Sequence, residues 1–117
     1  MTEDKVVEEG RVWAIIAYLW ILFLVPLLGK KDNKFALYHA KQGLMFFIAT
    51  IVLWIAGAII SVIFAFIPFA GWAISAIIWV LIWVFILVLF IVGIVNAATG
   101  KYAPLPVIGQ IAEKWKI

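Results

Sequence analysis

The sequence predicts an all-α integral membrane protein, and three observations carry that reading. From Gln42 to Gly100 there is no Asp, Glu, Lys, Arg or His. About 20 apolar residues suffice for one helical crossing of a bilayer, so this run is long enough for two. Hydrophobic residues make up 68% of the 117 positions and charged residues 13%, against roughly half apolar in water-soluble domains. Near the middle of the run, Ile67, Pro68, Phe69, Ala70, Gly71 and Trp72 bring together a helix breaker, a permissive glycine and an interfacial aromatic. A turn at Pro68 and Gly71, and with it a helical hairpin, is the consequence. Chain length allows a single membrane domain over 1–117, with lipid as the solvent of its surface.

Taken in order, residues 1–11 hold Glu3, Asp4, Glu8 and Glu9 against Lys5 and Arg11 and read as a solvated tail. The acidic start lacks the basic region of an export signal. Residues 12–29 give about 27 Å of helix, just enough to cross, and form the first expected span. Pro26 in its last turn predicts a kink or early stop, with a re-entrant segment as the alternative. Lys30, Lys31, Asp32, Asn33 and Lys34 form a charged loop in which Asp32 or Asn33 caps the next helix. The second span is expected over 42–67 and the third over 72–98, ending at Asn96, Thr99 and Gly100. Small residues spaced by four, Gly57 with Ser61, Gly71 with Ser75 and Gly93 with Ala97, suit close helix approach. After Pro104 and Pro106, residues 106–116 read as an interfacial amphipathic helix with Val107, Ile111 and Trp115 on one face.

Three spans would place the N-terminus and the Pro68 turn on one side, and the lysine loop and C-terminus on the other. The second side then collects Lys30, Lys31, Lys34, Lys41, Lys101, Lys114 and Lys116. By the positive-inside rule it is cytoplasmic, with the N-terminus outside a multi-pass cell-membrane protein. These lysines suit anionic lipid headgroups. Gln42 and Asn96 fall at similar depths near this boundary, with His39 about one turn farther out. A buried side-chain amide in lipid needs a partner, so a hydrogen-bonded cluster of Gln42, Asn96 and His39 is expected to set the hairpin register. Each amide reaching interfacial water is the alternative.

Little in the sequence suits catalysis. Acid–base and nucleophilic sites need convergent titratable groups, yet His39 is the sole histidine and cysteine is absent. Neither metal nor cofactor is expected, and the basic residues face a membrane rather than nucleic acid. Ionisable residues, the usual mark of a conduction path, are missing from the uncharged run, and three helices enclose no pore.

Several separate segments together carry a resemblance: 13–19 (WAIIAYL), 35–44 (FALYHAKQGL), 67–72 (IPFAGW), 93–97 (GIVNA), Gly100 with Lys101, and 105–114 (LPVIGQIAEK). They resemble a family of small prokaryotic membrane proteins similar to Tic-twenty, the protein-import component of the chloroplast inner envelope. The resemblance implies a translocation component and assigns no catalytic residue. The plastid proteins are described with four spans, against the three counted here. The leading expectation is a non-enzymatic translocation component or membrane assembly hub. The alternatives are an oligomeric channel or transporter subunit and a lipid-binding accessory or regulatory subunit. The expected partners are membrane lipids and either a second copy of the chain or another membrane protein.

Overall fold

The computed structural model describes residues 3–115. They form α1 (Glu3–Ile16), a 3-10 turn (Trp20–Phe23), α2 (Leu24–Gly29), α3 (Lys34–Phe64), α4 (Ala70–Ala98) and α5 (Gly109–Glu113), with no strand among the described residues. Two of these, α3 with 31 residues and α4 with 29, are long and apolar enough to cross a membrane. The molecule is 61 Å long and 23 by 21 Å across, and the longer of these helices accounts for about 46 Å of that length.

The continuous helix expected over 12–29 does not form. α1 ends at Ile16, Trp20 takes a left-handed φ of 57°, and a new helix begins at Leu24. Pro26 explains why this break suits the sequence. Expected in the last turn of one long helix, it stands in the first turn of α2, where a missing N–H forfeits no intrahelical bond. The tail expected over 1–11 is helical from Glu3, while Met1 and Thr2 lie outside the described residues.

The direction of the N-terminal segment also differs from expectation. Asn33 Nδ2 donates to the Val6 carbonyl at 2.9 Å, and a Cβ on Gly10 would stand 2.2 Å from Asn33 Oδ1. Farther along, the Ala17 carbonyl presses on Gly43, where a Cβ would come within 2.0 Å of it. α1 therefore runs beside α3 in the same sense, and α2 returns the chain to Lys30, whose ammonium stands 6.0 Å from the Trp13 ring centroid. Val7 meets Gly100 just beyond α4. The start of α1 thus lies at the same end as the lysine loop, which overturns its expected place beside the Pro68 turn.

Asn33 is the residue that caps α3: its side-chain oxygen accepts from the Ala36 N–H at 3.0 Å, satisfying one of the first-turn donors. At the far end, Phe69 has a φ of 59° and the Gly71 N–H donates to the Ile67 carbonyl at 3.1 Å. Gly71 is buried there because a Cβ would lie 2.1 Å from the Phe64 carbonyl oxygen. Along the hairpin, Gly57 admits Trp79 and Ile82 of α4, and Trp79 Nε1 donates to Ser61 Oγ at 2.8 Å.

The core lies toward the basic end. Ala14, Tyr18, Phe35, Phe46, Ile86 and Leu89 form its centre, and Phe23 and Leu27 of the returning segment pack on Ala17 and Ala40 beside it. The helix expected over 106–116 is shorter, Gly109–Glu113, and folds onto α3. Its buried residues are Gly109 and Ala112, whereas Val107 and Ile111 are exposed. Of the stripe expected to face the membrane, Ile111 lies in the helix, while Val107 precedes it and Trp115, half-buried, follows it.

If the chain just after α1 is seated through glycines of α3 and α4, Gly43→Ala and Gly93→Ala should each lower the thermal midpoint in detergent, with overpacking of about 1–3 kcal/mol. The Gly93 Cβ would meet the Tyr18 ring at 2.5 Å, whereas Gly29 has nothing within 4 Å, so Gly29→Ala is the control. Equal midpoints for all three variants would contradict the close approach.

Candidate functional site

The first turns of α3 place Tyr38, His39, Lys41 and Gln42 toward the chain that follows α4. His39 and Gln42 are fully buried. Gln42 Nε2 donates to the Gly109 carbonyl at 2.9 Å, while its Oε1 accepts from the Leu105 N–H at 3.0 Å. One amide thus closes both ends of the 105–109 loop. His39 Nε2 lies 2.8 Å from the Lys101 carbonyl. A carbonyl only accepts, so Nε2 carries the proton and Nδ1 is free to accept from the Tyr18 hydroxyl, its other partner. A neutral imidazole has both nitrogens satisfied in this arrangement.

Aromatic edges enclose that histidine. Its ring centroid lies 4.7 Å from Phe35, 5.2 Å from Tyr38 and 5.4 Å from Tyr18, and Tyr102 packs on Phe35 at 5.2 Å. The outer rim is polar: the Tyr38 hydroxyl donates to Glu113 Oε2 at 2.7 Å, and Lys41 Nζ donates to the Trp115 carbonyl at 2.9 Å. Asn96 Nδ2 reaches the Ala103 carbonyl at 3.5 Å. The arrangement is a clamp in which α3 and α4 side chains hold the irregular backbone of 101–109.

His39, Gln42 and Asn96 all lie at this end, but the bonds described run from each to the 101–109 segment. Direct Gln42–Asn96 pairing is not among them. Pro68 and Gly71 lie at the opposite end, in the connection between α3 and α4. Lys31, Lys34, Lys101 and Lys114 are exposed, Lys30 is half-buried beside Trp13, and Lys41 is held by Trp115. Lys116 lies outside the described residues. Sequence reading missed Tyr18, Leu105 and Gly109. A lone hydroxyl in an apolar segment was the signal for Tyr18. Gly109 was marked only as part of LPVIG, although a Cβ there would stand 2.5 Å from Gln42 Oε1.

A second recess, of about 370 Å³, opens where the 3-10 turn meets the two long helices, lined by Tyr18, Trp20, Phe46, Thr50, Trp54 and Trp83 among others. Its walls are apolar. Among the described residues, no group of three or more His, Cys, Asp or Glu side chains could hold a metal ion.

The profile of MamF/MmsF, described as the magnetosome magnetite crystal formation protein family, matches residues 9–112. The chain belongs to the MamF/MmsF family. Among its relatives, UPF0132 membrane protein MJ1527 of Methanocaldococcus jannaschii is 33% identical over 92% of this chain and 70% of its own length. A second protein of that organism, UPF0132 membrane protein MJ1443, is 36% identical over 96% of this chain and 88% of its own. Magnetosome protein MmsF of Paramagnetospirillum magneticum is 31% identical over 88% and 85% respectively. No solved structure gives a significant match. These findings correct the resemblance to Tic-twenty. The segments that suggested it fall within the MamF/MmsF match or at its edge, and the import role it implied is not supported. Membrane localisation is supported by the relatives and by the two apolar helices.

Replacing Gln42 by Leu leaves the Leu105 N–H and Gly109 carbonyl without their side-chain partner, at about 1–3 kcal/mol per unsatisfied buried group. Gln42→Leu should therefore lower stability and speed amide exchange across 103–109, and Asn96→Leu should act more weakly. The double variant should be additive. A coupling above about 0.5 kcal/mol would restore a direct link between the two amides.

Proposed function

We propose that this MamF/MmsF-family chain is a non-enzymatic membrane scaffold, an assembly hub that recruits other membrane proteins through its long helices. The observation that carries this reading is the extent of uncovered apolar surface on α3 and α4. In their most apolar stretches only 22% and 17% of residues are buried. Ile59, Val62, Val80 and Leu81 are each more than half exposed, and small residues such as Ala58 and Ala76 stand exposed among them. Small side chains beside large ones allow close helix approach in lipid. The buried polar groups at the basic end support a structural role, because His39, Gln42 and Tyr18 are engaged with one another or with the chain's own backbone. Similarity to magnetosome protein MmsF supports a place for such a scaffold in a membrane where magnetite forms. Two relatives are named simply as membrane proteins, which favours a scaffold usable beyond that setting.

The topology we propose is two spans with a hairpin, α1 to α2, that enters and leaves on the basic side. Support comes from the contacts of Val6 with Asn33 and of Val7 with Gly100. The positive-inside rule then makes this side, with both ends of the chain, cytoplasmic.

Two experiments test these proposals. In intact cells, an impermeant thiol reagent should label Phe66→Cys and spare Asp4→Cys and Lys101→Cys. Labelling of Asp4→Cys with protection of Lys101→Cys would restore three spans. Photo-crosslinkers at Ile59 and Val80 should yield discrete protein adducts, whereas lipid adducts alone would overturn the hub.

A further inference from the structure

The cross-section changes along the molecule's length. At the basic end α1, the 3-10 turn, α2 and α5 pack around α3 and α4, whereas at the Pro68 end the two long helices stand alone. Burial records this step: of the buried residues on α3, only Gly57 lies beyond Thr50. The hairpin's deepest ring contacts are those of Trp20 with Phe47 at 4.9 Å and with Trp54 at 6.0 Å. At 1.5 Å per residue, Trp54 is about 15 Å from the end of α3, roughly half of a 30 Å hydrocarbon layer. The hairpin therefore ends near the bilayer midplane.

The first turns of α1 are charged and exposed at Asp4, Glu8, Glu9 and Arg11 and belong to the headgroup region, but from Val12 to Leu28 the outer surface of the hairpin is apolar. Ile21, Leu22, Leu24, Val25 and Leu28 are all exposed large hydrophobics, which suits a segment surrounded by acyl chains rather than water. Each helix with its side chains is about 10–12 Å wide. The hairpin consequently adds up to two helix widths to one leaflet and none to the other.

We infer that the chain is a single-leaflet wedge that binds preferentially to strongly curved lipid surfaces, with its basic end in the convex leaflet. The inference rests on the two-span topology proposed above. A bilayer curved convex toward the basic end gives that leaflet the extra area the hairpin occupies, so the shape is accommodated there and strained on the opposite curvature. The partner is the lipid surface itself. Headgroup charge alone offers no such dependence on the sign of curvature.

The full chain, dye-labelled at Lys101→Cys, would be reconstituted in giant vesicles of phosphatidylcholine and phosphatidylglycerol, and a narrow tube drawn outward. An impermeant quencher separates molecules whose basic end faces outward from those facing inward. Outward-facing molecules should be enriched in the tube over the flat membrane by about threefold, the ratio given by ~0.7 kcal/mol, and inward-facing ones depleted. Equal partitioning of the two orientations, or the reverse order, would overturn the wedge. A parallel sample labelled at Asp4→Cys separates the two proposals. Quenching of Asp4 and Lys101 from the same face without curvature sorting refutes the wedge alone. Quenching from opposite faces refutes the topology and the wedge with it.

Discussion

A backbone or side-chain amide buried away from water needs a hydrogen-bonding partner, and the irregular parts of this chain are arranged around that constraint. Between α4 and α5 the backbone has left helical geometry, and Gln42 supplies both a donor and an acceptor to it. His39 binds the Lys101 carbonyl at the start of the same segment, and Asn96 reaches Ala103 between them. At the other irregular stretch, Tyr18 reaches His39, so the break after α1 is tied to the same helix that holds the C-terminal segment. One turn region of α3 therefore stabilises two departures from helix, one before it and one far after it in the chain.

Close packing makes this geometry accessible. Gly43 lets the Ala17 carbonyl rest on α3, Gly93 admits the Tyr18 ring, and Gly109 leaves room for the Gln42 oxygen. Two of these glycines thus seat the adjacent residues Ala17 and Tyr18 against different long helices, and the third seats Gln42. Without an appreciable hydrophobic drive between helices in lipid, such shape matching supplies much of the association.

The hairpin of long helices was legible because an uncharged stretch from Gln42 to Gly100 admits two crossings and Pro68 with Gly71 marks the turn between them. The cap was legible to within one residue, since Asp32 and Asn33 are both strong acceptors at the entrance to an apolar run, and the structure selects Asn33. Residues 12–29 were legible only as two alternatives, a crossing helix or a re-entrant segment, because both demand the same apolar composition. Pro26 marked the irregularity, yet its meaning reverses between the last turn of one helix and the first turn of another. The polar site was half legible. Side chains announced Gln42, Asn96 and His39, but most of their partners are backbone groups of 101–109, which carry no residue-type signature.

The spacing of the Gln42 bonds has a consequence for biosynthesis. Its acceptor and donor lie 67 and 63 residues farther along the chain, so a nascent chain carries this amide long before its partners emerge. His39 waits in the same way for the Lys101 carbonyl, 62 residues on. Final closure of the basic end is therefore delayed until Leu105 and Gly109 have been made. A product cut short before Leu105 would retain the two long helices but expose an unmet hydrogen-bonding group, giving membrane quality control a chemical difference between an unfinished molecule and a finished one.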